Sequence, residues 1–320
     1  MKKILLSSFL FVALNIVTSS CTKADATKGD TATQAKEQTA TESQANEADA
    51  NPKPEKDLNP YFNNQKADTD KINEVMGKIS GITDLNQRVV AAANEFLGTP
   101  YVGGTLSVPE EEQLYVNTTG LDCLTFVESI ISLAVASGKD NPGINDFLQT
   151  LQSVRYRNGE IDGYPSRLHY ISEWGIDNGR RGNFREISHE YGGSQKRVKT
   201  INFMTSNRSL YPALSDNAVF EAVRKSELPL KDLQFSFIPT SEVGKAGDFL
   251  KSGDIVAIVT DKPGLDVSHV GIVNVKKGVP HMIHASSKYK KVIDDPLPLQ
   301  EYLQRQKSPG IRVFRLLTPH

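Results

Sequence analysis

Gly120-Leu121-Asp122-Cys123-Leu124-Thr125-Phe126-Val127-Glu128 decides how the rest of the chain is read, because a glycine-bearing loop here runs into an apolar helical pattern with a cysteine at the junction. The pattern continues through Ile130, Ile131 and Leu133 to Ser137-Gly138, a C-terminal helix stop. Unpaired N–H groups and the macrodipole at a helix start favour negative charge, so Cys123 is expected to ionise more easily and act as a nucleophile. A lone cysteine is more often a small apolar filler, so the reading needs partner groups elsewhere.

The sequence holds 2 cysteines, and the other, Cys21, belongs to the leader. Met1-Lys2-Lys3, an apolar run from Ile4 to Val17 and small residues up to Ser20 form an export signal over residues 1–20. Small residues just before Cys21 resemble a lipobox, although Thr18 stands where an aliphatic residue is usual. Lipidation at Cys21 and attachment to a membrane are therefore expected, with cleavage after Ala24-Asp25-Ala26 and release as the alternative. Residues 21–57 lack aromatic side chains and nearly all large aliphatic ones, so they read as a disordered tether. The expected location is the periplasm, which is oxidising, and Cys123 has no partner cysteine within its own domain.

Residues 58–320 read as one domain with a large insertion over about 155–250. Helices are expected over Asp68–Ile79, Asn86–Leu97 and the Cys123 segment. Strands are expected over Asp254–Thr260, His269–Val275, His281–Ala285 and Ile311–Leu316. Helices followed by short β-branched runs give an α+β fold, with the cysteine helix packed on a mainly antiparallel sheet or partial barrel. Charge is nearly balanced, with 37 Lys and Arg against 38 Asp and Glu, and the basic residues are scattered, so nucleic acid is not an expected partner.

A thiolate needs a base, and the base needs an orienting group. His269 begins one predicted strand and His284 lies near the end of the next, so an antiparallel hairpin could set both on one face. His281 is three residues from His284, faces the other side and is expected in solvent. That geometry disfavours a shared zinc site, so no metal and no cofactor is expected. His169 and His189 carry no partner pattern.

At these residues the chain resembles the NlpC-type cell-wall cysteine peptidases and amidases, a papain-like family. Ala93 to Gly104 looks like its opening motif, Leu121-Asp122-Cys123 its nucleophile motif and Gly253-Asp254-Ile255-Val256 the strand before the base. His269-Val270-Gly271-Ile272 resembles the base motif, and Ile283-His284-Ala285-Ser286 the third polar position. The resemblance implies a papain-like fold with Cys123 as nucleophile, His269 as base then acid, His284 as orienter and Tyr101 lining the site. In family endopeptidases a serine after the cysteine, together with the preceding Asp, helps grip a free peptide N-terminus. Here Leu124 follows Cys123, and 146 residues separate Cys123 from His269.

Leu124 to Glu128, Ser166 to Trp174 and Gly264 to His269 are similar to the N-acetylmuramoyl-L-alanine amidase-like branch. That branch implies hydrolysis of the amide between N-acetylmuramic acid and L-alanine, in peptidoglycan or muropeptides, by a monomer. On this reading Asp122 and Arg167 contact substrate, and Tyr170 or Trp174 offers a face to a sugar ring. The i, i+4 spacing of Tyr170 and Trp174 equally describes a core stripe. The alternatives are a γ-D-glutamyl-diamino-acid endopeptidase and a muropeptide-binding lipoprotein without activity.

Overall fold

Residues 58–107 and 111–317 are described by a computed structural model of the chain, and together they make one unit. The leader, Cys21 and the tether expected over 21–57 lie outside the described residues. The first helix, α1 (Gln65–Ile79), starts before the expected Asp68 because Asn64 caps it, its side chain accepting from Ala67 N at 3.1 Å. Ile72, Val75, Met76 and Ile79 form its buried stripe. Helix α2 (Leu85–Asn94) is capped by Asp84 and ends short of the expected Leu97, where Gly98 at φ +88° turns the chain into Thr99-Pro100.

Helix α3 (Cys123–Ala136) is the centre of the molecule: eleven of its fourteen residues are buried, so no side of it faces water. It packs against α1, α2 and α4 (Ile144–Arg155), and it also packs on the two longest strands, β7 (Val267–Lys276) and β8 (Val279–Ser286). A helix buried all round needs its polar residues partnered. Ser132 answers by bonding the Glu128 carbonyl at 2.7 Å, and the Glu128 carboxylate takes the Arg155 Nε–H at 2.7 Å from α4.

Strands β1 (Tyr61–Phe62) and β2 (Tyr115–Val116) form a small parallel ribbon. The main sheet has eight strands in the order β4-β5-β10-β6-β7-β8-β9, with β3 also on β10. Its other members are β3 (Phe184–Glu186), β4 (Gln195–Lys199), β5 (Leu233–Pro239), β6 (Ile255–Val259), β9 (Lys291–Asp294) and β10 (Gly310–Leu316). Every pair in it is antiparallel.

The sheet has two different faces. Ile255, Ala257, Val270, Ile272, Ile283 and Ala285 point to the helices α1–α4. Val256, Ile258, Val273, Met282 and Val313 point the other way, to α8 (Thr240–Val243) and α9 (Leu299–Arg305). Residues 155–250 add α5 (Ile171–Arg180), α6 (Phe203–Ser206) and α7 (Asn217–Glu227) together with β3, β4 and β5. The last three join the main sheet, so the strands are not confined to the last third as the sequence pattern suggested. Their pattern was weak for a physical reason: β4 is an edge strand, Gln-Lys-Arg-Val-Lys, with charge where a central strand would carry aliphatic side chains. No helix among the described residues is long and apolar enough to cross a membrane.

Candidate active site

The thiol is placed by its helix. Asp122 is the N-cap of α3: its carboxylate accepts from Thr125 N at 2.8 Å, and its own N–H donates to the Thr125 hydroxyl at 3.0 Å. Cys123 is therefore the first helical residue, half-buried and packed against the main core. Val102 N bonds Leu121 O at 3.0 Å and Leu121 N bonds Pro100 O at 3.1 Å, laying the Tyr101 segment along the loop that leads into Cys123. Gly120 permits this approach, since a β-carbon there would stand 2.7 Å from Val102 Cγ2.

Helix position alone does not make a thiolate here. Burial pushes the Cys123 thiol up to about 12, and the Asp122 carboxylate adds to the rise. Hydrogen bonding from the N–H groups of Val270, Leu124 and Cys123 works in the opposite direction without overcoming burial. The expectation of an easily ionised sulfur is thus corrected: Asp122, the cap that starts the helix, sets a negative charge beside the same thiol. Val270 is the residue after His269, so the sulfur lies against the start of β7.

Strands β7 and β8 pair with Ile272 opposite Ile283. Continued by one step, that register sets Gly271 opposite His284 and leaves His269 diagonal to it on the same face. Their rings meet edge to face, with His269 Nε2 2.6 Å from His284 Nδ1. Strand β9 pairs with β8 through His284 opposite Ile293, which puts Asp295 on the other diagonal. Asp295 Oδ2 lies 3.2 Å from His284 Nε2. Three adjacent chain segments thus present a row, His269–His284–Asp295, on the face covered by α9. Tyr302 of α9 closes it, its ring 5.5 Å from that of His284. Its phenol pKa is raised by burial and by the nearby Asp295 and Cys123. Burial, and then the neighbouring His284, hold His269 well below the ordinary imidazole range, so its resting form is neutral.

A neutral imidazole one residue before the strand N–H that bonds a thiol at a helix start, backed by a second imidazole and a carboxylate, is the kind of set used for proton transfer coupled to nucleophilic attack. The family described as N-acetylmuramoyl-L-alanine amidase-like, AmiA-like, matches residues 91–311. The chain belongs to this family. The crystal structure of an N-acetylmuramoyl-L-alanine amidase from Bacteroides uniformis ATCC 8492 is similar at 32% identity and TM-score 0.69, over 73% of this chain and 99% of that one. A Bacteroides fragilis protein described provisionally as a xylanase is similar at 36% identity and TM-score 0.67, over 71% of this chain and 100% of that one. A Legionella pneumophila protein at 21% identity and TM-score 0.61 shares the fold. No curated protein sequence matches.

Within this amidase-like domain the other residues expected at the site have different fates. Tyr101 stays near Cys123: its N–H bonds Lys290 O at 2.9 Å, and its phenol pKa is raised by burial and by the nearby Cys123 and Asp122. Asp122 serves as the helix cap. Arg167 is buried, donates to Leu106 O at 2.9 Å and lies 3.4 Å from the Glu112 carboxylate. It is thus held by Leu106 and Glu112 inside the fold, not extended at an exposed surface.

Trp174 is 1% exposed and packed between Phe184 and Phe314, so no ring face is left for a sugar. Tyr170 is buried, with its hydroxyl donating to Glu227 at 2.7 Å and accepting from Met204 N at 2.7 Å. Tyr170, the N-cap of α5, and Trp174 are both core residues, but of two separate hydrophobic clusters. His281, expected in solvent, is half-buried, with its Nδ1 3.2 Å from the carbonyl of Asp295. His189 is exposed, and His169 stacks on Tyr164 at 4.6 Å. Burial, and then Arg167, drive the His169 pKa down to about 3, so it is a neutral packing group. Among the described residues no His, Cys, Asp and Glu cluster is spaced to hold a metal ion.

Asp295 was missed in the sequence. Asp294-Asp295-Pro296 reads as a turn, and only the pairing of β9 with β8 carries it beside His284.

Proposed function

We propose that the protein is a papain-like cysteine hydrolase that cleaves the amide between N-acetylmuramic acid and L-alanine in peptidoglycan or muropeptides. The observation that supports this reading is the 2.6 Å imidazole pair whose first member directly precedes Val270, the strand residue whose N–H bonds the Cys123 thiol, in a chain of an amidase-like family. Cys123 Sγ attacks the lactyl carbonyl as its proton passes to His269. The tetrahedral intermediate collapses with His269 returning that proton to the alanine nitrogen, which leaves as an amine. Water, deprotonated by His269, then splits the thioester and restores the thiol. The N–H of Cys123 and the Tyr101 segment are suited to hold the oxyanion.

The neighbourhood of the thiol suits an acidic stem peptide. Lys288, Tyr289, Lys290 and Lys291 are exposed on the β8–β9 turn, which is hydrogen-bonded through Lys290 O to Tyr101. Lys288 is near enough to lower the pKa of the Asp295 carboxyl beside His284. Export by a signal over residues 1–20, a lipid anchor at Cys21, a periplasmic location and action as a monomer complete the proposal.

Digestion of a defined muropeptide, read by mass spectrometry, tests the bond. Release of free stem peptide beginning at L-alanine is expected. Cleavage between D-glutamate and the diamino acid would instead make the protein an endopeptidase, and intact muropeptide recovered in a stable complex would make it a binding protein. The pH profile carries a second expectation. A base whose folded pKa is depressed stays unprotonated as pH falls past 6.5, so kcat/KM should hold through pH 6.5 and fall only below it. An acid limb centred at or above 6.5 would contradict the buried, neutral His269.

A further inference from the structure

We propose that Asp295 is a positioning residue that fixes the tautomers of His284 and His269 in series, leaving the Nδ1 of His269 as the bare base. This deepens the amidase reading and rests on it for the role of His269. The argument follows hydrogen-bond valence. Asp295 is 2% exposed, and burial alone would favour its neutral form. The hydrogen bonds from His284 and Leu297 N, with the electrostatic pull of His284 and Lys288, outweigh that and hold the carboxyl below the ordinary aspartate value.

An ionised carboxylate can only accept, so the hydrogen between Oδ2 and His284 Nε2 belongs to the imidazole. In the proposed series His284 carries a single N–H, the one on Nε2, which leaves its Nδ1 with a lone pair. The 2.6 Å contact then requires His269 to donate from Nε2, and its own Nδ1 is left unprotonated. The reverse assignment would face a lone pair on His284 Nε2 toward the carboxylate. The carboxylate itself is held still: Oδ1 accepts from Leu297 N at 2.9 Å, the Asp295 N–H bonds Met282 O at 2.9 Å, and its carbonyl faces His281. Asp295 need not touch substrate. When His269 takes the thiol proton, the imidazolium forms next to an imidazole already polarised by the carboxylate.

The test is ¹⁵N NMR of the histidine side chains in the full chain, without substrate, alongside kcat and KM on a defined muropeptide. In wild type, His269 and His284 should both carry their proton on Nε2. Asp295→Asn places an amide where the carboxylate was, and its N–H can donate to His284 Nε2. The expected result is both protons moved to Nδ1 and kcat lower by on the order of 10³-fold, with KM little changed. Asp295→Glu should restore the Nε2 tautomers and recover part of kcat.

A wild-type spectrum with the His269 proton on Nδ1 overturns the proposal even if Asp295→Asn fails to fold. So does an Asp295→Asn variant that keeps both the Nε2 tautomers and wild-type kcat. Nε2 tautomers in wild type that shift in Asp295→Asn, in a protein that cleaves no muropeptide, would support the tautomer series and defeat the amidase reading separately.

Discussion

Cys123→Ala is expected to lower kcat on muropeptides by about 10⁴-fold or more, with KM and thermal midpoint close to wild type. Cys123 is the free thiol of the described residues, and without it water would have to attack the unactivated amide directly. The side chain removed is one small, half-buried sulfur, while Asp122 keeps its capping bonds to Thr125. The fold should therefore survive, and the variant should still bind muropeptide. Because the resting thiol is protonated, Cys123→Ser should behave almost as badly: an alkoxide is harder still to form beside Asp122. Steady-state kinetics with purified variants decide this, and a Cys123→Ala protein within tenfold of wild type would remove the nucleophile from the mechanism.

Arg155→Met is expected to destabilise the fold by about 3–5 kcal/mol. Arg155 Nε bonds Glu128 at 2.7 Å with both side chains at most 2% exposed, and its Nη1 donates to Tyr115 O at 2.6 Å. Removing the arginine strands a carboxylate inside the helix layer, where Glu128 Oε1 already lacks a hydrogen-bond partner. Burial raises the Glu128 pKa, so the orphaned group relieves itself by taking a proton. The sign follows: a folded-state pKa above the unfolded one means the native state binds more protons, so the variant's deficit should shrink as pH falls from 7 toward 5. Replacing both partners, Glu128→Leu with Arg155→Met, should recover most of the loss. Urea midpoints at both pH values measure each expectation. A single variant as stable as wild type at pH 7 would show that the pair holds nothing together.

The two predictions differ in how far the sequence anticipated them. The position of Cys123 at a helix start was legible because a glycine-bearing loop runs into an apolar helical pattern there. His269 and His284 were legible because a strand has period two, and a hairpin brings diagonal residues of one face together. The period could not say which face. The histidines stand on the α9 side of the sheet, while the body of α3 covers the other side, so the thiol meets β7 only at the helix start.

Arg167, Tyr170 and Trp174 show the opposite error. Residue types suited to binding carbohydrate or carboxylate are also those that fill and tie a core, and only burial separates the two uses. Charge followed the same rule. Proximity to a helix start suggested a ready thiolate, but the magnitude is set by how much water the sulfur loses and by the carboxylate next to it.

The sequence by itself determined what depends on neighbours in the chain: the existence of α1 to α3, the central strands of the sheet, and the placing of Cys123 at a helix start and of His269 and His284 on adjacent strands. Tertiary structure alone decided what depends on residues far apart in it. It made Glu128 and Arg155 partners across 27 positions, brought Asp295 to His284 across a turn, and turned the supposed sugar platform into core. The reason is that hydrogen-bond valence and desolvation act over a few ångströms of space, and the alternation of side chains carries no record of which surfaces the chain will later cover.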